Sequence, residues 1–355
     1  MAPLMSALID RGHNVSVWDY FFEPFPISEK RIHTVYSEIT TTNQDLLNGL
    51  VHNNDTSFAE MIWEMTSEGN LIIAFAWNIT ISVCEMALQQ HPDDFQRIIS
   101  ENWDLVVVDP IFTPCGLAVA KLSSAQMVLY STTIVDVHTH RAQGVPAPTA
   151  SAPVANVVEY KFDGFWDRLS EVLVWTLGHE ITMPLISWQL DRTVGQKIGS
   201  SLNIRESEQN AVFLIDQIAS NIFIPGPQTH AYKHIGNVDC SVYEKLNLTD
   251  PDYKKFVDNP KSKGTIIAAF GHHTTFVGAP HVVTALVGAF DRLRDYRFVW
   301  QAKENWMLSD MMLSAMDEGV FWMEFTMRHQ EHMHLLQSKA KSMGWIKYFM
   351  IDCPC

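Results

Sequence analysis

The sequence predicts an α/β protein built on doubly wound parallel sheets. Leu105–Val108, Met127–Tyr130 and Val212–Ile215 are short continuous apolar runs, the signature of strands buried on both faces. Between them lie segments of helical apolar spacing, and strands alternating with helices imply a parallel sheet. The stretch from Lys263 to Trp300 carries the pattern in its shortest form. Thr265–Phe270 is of strand length, and Gly271 closes it where the chain must turn. Pro280 suits a first helical position, and Val283, Leu286, Val287, Phe290 and Leu293 then recur at helical spacing. Tyr296–Trp300 returns as a second strand, which completes a βαβ unit.

In chain order, Leu4–Leu8 reads as a helical fragment and Asn14–Trp18 as a strand, while Phe58–Met65 and Ile81–Gln90 carry helical spacing. Phe165, Leu169, Val172, Leu173 and Leu177 form the apolar stripe of an amphipathic helix. At 355 residues the chain is long enough for two domains with their own cores. No internal repeat is seen.

Composition narrows the partners. The chain is 47% hydrophobic and 18% charged, with a net charge of -15. Without a basic stripe to offset that charge, nucleic acid and anionic membrane surfaces are excluded as expected partners. Cys84, Cys115, Cys240, Cys353 and Cys355 are scattered and odd in number, so neither a disulfide framework nor zinc spacing can be read from them. Sequons at Asn14, Asn54, Asn78 and Asn247 permit glycosylation on the secretory route. The N-terminus lacks the pattern of a signal peptide, and no apolar run is long enough to span a bilayer, so a soluble chain is expected.

Particular wording adds to this. Lys263-Gly264-Thr265-Ile266 leads into Ala269-Phe270-Gly271, then Gly278-Ala279-Pro280 and Asp295-Tyr296-Arg297. Earlier come Arg11-Gly12-His13-Asn14-Val15, Leu105–Pro110 with Cys115-Gly116, Val128–Thr133, Phe165–Leu169, and Pro225-Gly226-Pro227 to Gly236; Val320–Phe325 with Met327-Arg328-His329 comes last. In this order the segments resemble the UDP-glycosyltransferases of the glucuronosyltransferase type. The resemblance implies the GT-B arrangement of two Rossmann-like domains, here with the second incomplete. It gives an acceptor-binding domain over 1–236, a linker over 237–262, a partial UDP-sugar domain over 263–314, and closing helices over 315–355 that pack back on the first domain through Phe321, Trp322 and Phe325. Gly144–Pro153 would pass for a linker on composition, but the resemblance runs through it and makes it a lid within the first domain.

Glycosyl transfer to a hydroxyl needs a base for the departing proton, a group that orients the base, and positive dipoles on the leaving diphosphate. Asp109 ends a predicted parallel strand, where α/β folds place ligands. As a bare residue before Pro110 it reads first as a turn or capping aspartate; the resemblance makes it the partner of a base histidine. That histidine belongs to a segment ahead of Met1, and His13 instead matches the end of the first helix, which it caps. Gly271, His272, His273, Thr274 and Thr275 match the donor phosphate loop, with His272 replacing a small hydroxyl residue. The aromatic residues Phe75, Trp77 and Phe165 are candidates to line the acceptor pocket. After Trp300 the family's uracil-stacking loop, diphosphate-binding helix start and sugar-reading pair do not follow.

A metal reading of His329, His332 and His334, or of His138 and His140, is weaker than an ordinary structural one, and no metal or cofactor is expected. UDP-sugar enters as a co-substrate and a small lipophilic molecule as acceptor. The resemblance further implies the endoplasmic reticulum as location, with signal peptide and C-terminal anchor absent from this chain. The resulting expectation is a glucuronosyltransferase-like enzyme whose present chain transfers no sugar. The alternative is a noncatalytic acceptor-binding or subunit-binding homologue that forms homo- or hetero-oligomers with intact relatives.

Overall fold

The computed structural model describes residues 2–25, 27, 29–43, 69–132, 137–145, 164–217, 228–236, 251–258, 260–268, 280–300, 323, 324 and 327. The chain divides into two compact units. The first comprises Met1–Thr40, Thr66–Ser241 and Asp310–Cys355, and the second Thr41–Met65 and Val242–Ser309.

The first unit opens with α1 (Ala2–Asp10). Gly12 ends it at φ 92°, a conformation that only glycine adopts without strain. There the Gly12 N–H reaches the Ile9 carbonyl at 2.9 Å and the His13 N–H reaches that of Leu8 at 3.1 Å, which together close the helix end. β1 (Ser16–Asp19) pairs in parallel with β2 (His33–Tyr36). Next come α2 (Gly69–Gln90) and α3 (Pro92–Ser100). α3 starts on a proline, carries Asp93 and Asp94 in its first turn and Arg97 in its last, and so complements its own dipole while burying Phe95 and Ile98.

A four-stranded parallel sheet forms the frame: β3 (Leu105–Val108), β4 (Gln126–Ser131), β5 (Phe213–Asp216) and β6 (Tyr232–His234), neighbours in that order. α4 (Pro114–Ser123) is the crossover between β3 and β4. It lies close against β3 because Gly116 has no side chain; a Cβ there would stand 3.0 Å from a Val108 methyl. α5 (Val137–Ala142) follows β4. Before β5 the chain runs through α6 (Phe165–Leu177), α7 (Met183–Leu190), α8 (Gln196–Ile198) and α9 (Ile204–Gln209), with π turns at Gly178–Thr182 and Asp191–Gly195. α9 is capped by Asn203, whose side chain accepts from the Glu206 N–H at 3.0 Å.

Alternation along the strands decides the core. Val128 and Tyr130 on β4, with Phe213 and Ile215 on β5, pack against Leu4 and Leu8 of α1. Met323 is enclosed in the same cluster. Beside it, Glu324 meets the His13 ring at 2.9 Å and Arg11 at 3.8 Å. Phe321, Trp322 and Phe325 lie outside the described residues.

In the second unit, α10 (Pro251–Val257) is followed by β7 (Thr265–Ala268), α11 (Pro280–Arg292) and β8 (Arg297–Trp300). β7 and β8 pair in parallel from Thr265↔Arg297 to Ala268↔Trp300. Phe290 stacks on Phe298 at 4.2 Å, which seats the helix on its sheet. The βαβ unit read from the sequence is therefore formed, and α10 occupies part of the stretch read as linker.

α6 forms over the predicted residues, but its stripe is not covered as a core helix's would be. Phe165 is 61% exposed and Leu173 54%. Periodicity defines an apolar face without defining what covers it.

Candidate acceptor site

Because β3 to β6 run in parallel, their carboxyl ends line one edge of the sheet, and each ends on a polar group: Asp109 after β3, Thr132 after β4, Asp216 on β5 and His234 on β6. This edge is where open α/β sheets bind ligands.

Asp109 is held by both its oxygens. Oδ1 accepts from the backbone N–H groups of Ile111 (3.0 Å) and Phe112 (3.1 Å), and Oδ2 accepts from the Thr132 hydroxyl at 2.8 Å. The first pair is an Asx turn, so the turn role that the bare sequence allows is present in the fold. The second pair joins β3 to β4 at the sheet edge. Burial pushes the Asp109 carboxyl above the ordinary carboxylate range, against the N–H of Phe112 and the hydroxyl of Thr132, which lower it. Burial likewise raises the Tyr20 phenol, and the Asp109 and Asp19 charges add to that.

α2 is tied to this turn twice. Thr80 donates its hydroxyl to the Ile111 carbonyl at 3.1 Å, and Cys84 forms a disulfide with Cys115 in the first turn of α4. The cysteine count suggested no pairing. The fold supplies it by bringing two fully buried residues, 31 apart in sequence, to a Cα separation of 5.4 Å.

Two polar groups beyond Asp109 escaped the sequence reading. Asp216 Oδ2 accepts from the Tyr232 hydroxyl at 2.6 Å, and Oδ1 lies 2.9 Å from His234 Nδ1. His140 Nε2 in turn lies 3.1 Å from the Tyr232 oxygen. The Tyr232 phenol is raised by burial and by the Asp216 charge, which keeps it a hydrogen donor. Behind this group His138 pairs with the buried Glu208 at 3.2 Å and stands 5.7 Å from the Trp77 ring. One sequence signal could have found Asp216: like Asp109, it ends an apolar strand run.

His138 and His140, two apart in sequence, thus serve different partners. Among the described residues no three His, Cys, Asp or Glu side chains converge as metal ligands would. Among the described residues the aromatic candidates are not brought together either. Trp77 is fully enclosed, Phe165 is exposed with Trp166 as its ring neighbour at 5.1 Å, and the Phe75 side chain lies outside the described residues. The phosphate-loop candidates Gly271, His272, His273, Thr274 and Thr275 also lie outside them.

The family model described as UDP-glucoronosyl and UDP-glucosyl transferase matches residues 1–303 and 301–354. The chain belongs to this family. Its fold is therefore GT-B, and the parallel sheets of both units fit the Rossmann-like domains of these transferases. The chemistry of the family is glycosyl transfer from a UDP-sugar donor to an acceptor. The two matched segments meet at 301–303, directly after β8 of this transferase, where the sequence reading has the donor half interrupted. No curated protein matches the chain.

Proposed function

We propose that this transferase serves the transfer of a hexose or glucuronic acid from its UDP derivative to the hydroxyl of a small lipophilic alcohol, phenol or acid, by direct inverting displacement. The observation that carries the reading is a family match over the chain together with a half-buried, hydrogen-bonded carboxylate, Asp109, at the carboxyl edge of the first sheet. Asp109 acts as a positioning residue: its carboxylate orients a base histidine and balances the imidazolium that forms as the acceptor proton is taken. Gly271, His272, His273, Thr274 and Thr275 receive the donor phosphates at the turn between β7 and α11, where backbone N–H groups and the helix dipole favour anions. Phe75 and Phe165 contribute to acceptor recognition, and the enclosed Trp77 does so only through packing. UDP-sugar is a co-substrate, and no metal or cofactor takes part.

The location proposed is the lumen of the endoplasmic reticulum. The buried Cys84–Cys115 disulfide supports this, since such bonds form and persist in oxidising compartments.

The break in the family match at 301–303 favours a second reading, in which the chain binds acceptors, or intact relatives as an oligomer, without transferring sugar. The two readings share one expectation. With a phosphate loop but an interrupted donor half, the chain binds UDP weakly, with a Kd above about 100 μM. Calorimetry with UDP measures this directly, and a low micromolar Kd would show that the donor site is complete.

A further inference from the structure

The sequons Asn14-Val15-Ser16 and Asn78-Ile79-Thr80 lie within the described residues, and Asn54 and Asn247 lie outside them. Attachment of a glycan needs the asparagine amide together with the hydroxyl two residues on. In an extended segment residues i and i+2 face the same way, whereas on a helix they stand about 200° apart around the axis. Asn14 is exposed, in the stretch between the Gly12 turn and the start of β1 at Ser16. The Val15 carbonyl accepts from the His33 N–H at 3.1 Å in continuation of the β1–β2 pairing, so the sequon enters the sheet in extended form. Among the described residues neither the Asn14 side-chain amide nor the Ser16 hydroxyl has a hydrogen-bond partner. Asn78 is placed otherwise. It falls in the middle of α2, and its Oδ1 accepts from Gln189 Nε2 at 2.5 Å, which ties α2 to α7. The Thr80 hydroxyl is held between the Trp77 and Ile111 carbonyls, 3.1 Å from each.

We propose that Asn14 carries an N-linked glycan and that Asn78 does not. This rests on the location proposed above, the lumen of the endoplasmic reticulum. The co-reactant is an oligosaccharide held on a lipid diphosphate. Asn14 Nδ2 attacks C1 of that sugar, the N–C1 bond forms, the bond from C1 to the diphosphate oxygen breaks, the lipid diphosphate leaves with the electron pair, and the amide gives up one proton to solvent. Once α2 has formed, the amide of Asn78 and the hydroxyl of Thr80 point to different sides and are engaged with other groups, whereas the folded conformation at Asn14 is the one the reaction uses. A glycan at Asn14 also stands clear of the acceptor site. Tyr20, directly after β1, is near enough to Asp109 to feel its charge, so the carboxyl end of β1 faces the site. Asn14 is at the strand's other end, about 20 Å back along an extended chain.

The test uses the full chain directed into the secretory route of mammalian cells by a cleavable leader. Treatment with peptide N-glycosidase in oxygen-18 water converts each occupied asparagine to a labelled aspartate, which peptide mass spectrometry locates. Label is expected at Asn14 and absent from Asn78. Ser16→Ala keeps the asparagine but removes the hydroxyl, and should abolish the label at Asn14; Ser16→Thr should retain it. Asn14→Gln should lose the mass of one glycan and leave the affinity for a small phenol unchanged. The state of Cys84 and Cys115, read by alkylation without reductant, separates the inference from the reading beneath it. An unlabelled Asn14 in chains with the disulfide formed, or label at Asn78, would overturn the inference and leave the location standing. Free thiols at both cysteines in the lumen would overturn the location reading, whatever Asn14 carries.

Discussion

Asp109→Asn is expected to abolish most glycosyl transfer while leaving the fold almost intact. In a form of the protein that transfers sugar, the loss in turnover should lie between about 10²- and 10⁴-fold, with acceptor binding nearly unchanged. The stability cost is small because asparagine Oδ1 can still accept from the N–H groups of Ile111 and Phe112, and the Thr132 hydroxyl can turn to accept from the new amide. Asp109→Ala has no such substitute and leaves the part-buried Ile111 N–H unpaired, at a cost of about 1 kcal/mol. Acidity adds a second readout. The folded carboxyl titrates above its unfolded value, so between the two the folded state binds more protons. Stability contributed at this position therefore falls as pH rises from about 4 through the folded pKa and is level above it. Urea unfolding at a series of pH values should show that fall in the parent and not in Asp109→Asn. A silent Asp109→Asn in both turnover and pH dependence would remove the residue from the mechanism.

The second large effect belongs to the disulfide. Cys84 and Cys115 close a loop of 31 residues, and loop-closure entropy assigns such a bond about 3–4 kcal/mol. The double substitution to alanine should lower the urea midpoint accordingly. A reducing agent should lower the midpoint of the parent by a similar amount and leave the variant unmoved. Local consequences follow from where the bond sits: it joins α2, which carries Trp77 and Thr80, to the helix that starts just after the Asp109 turn. Loss of the bond should therefore weaken lipophilic-acceptor binding as well as global stability. Identical midpoints for parent and variant, with and without reductant, would show that the cysteines are not paired in solution.

What was legible in the sequence follows the strength of each local signal. β3, β4 and β5 were found because strands buried on both faces are continuously apolar, and α11 because Pro280 and the spacing after it mark a helix start. β2 is His-Thr-Val-Tyr and β6 is Tyr-Lys-His, too short and too polar to stand out from loops. Asp109 was visible as an acid at the end of such a run and through its family resemblance. The disulfide was not, because cysteine spacing says nothing about which helices a fold will set side by side. Nor was the Asp216, Tyr232 and His140 series: these residues are far apart in sequence and meet only through the parallel register of β5 and β6 and the position of α5.

The most direct measurement is a crystal structure of the chain with a bound small phenol and UDP offered together. The phenol should bind in the first unit, at the carboxyl edge of the β3–β6 sheet that carries Asp109 and Thr132, with UDP weakly occupied or absent. A phenol found away from that edge, with UDP fully ordered, would contradict the assignment of this edge as the acceptor site.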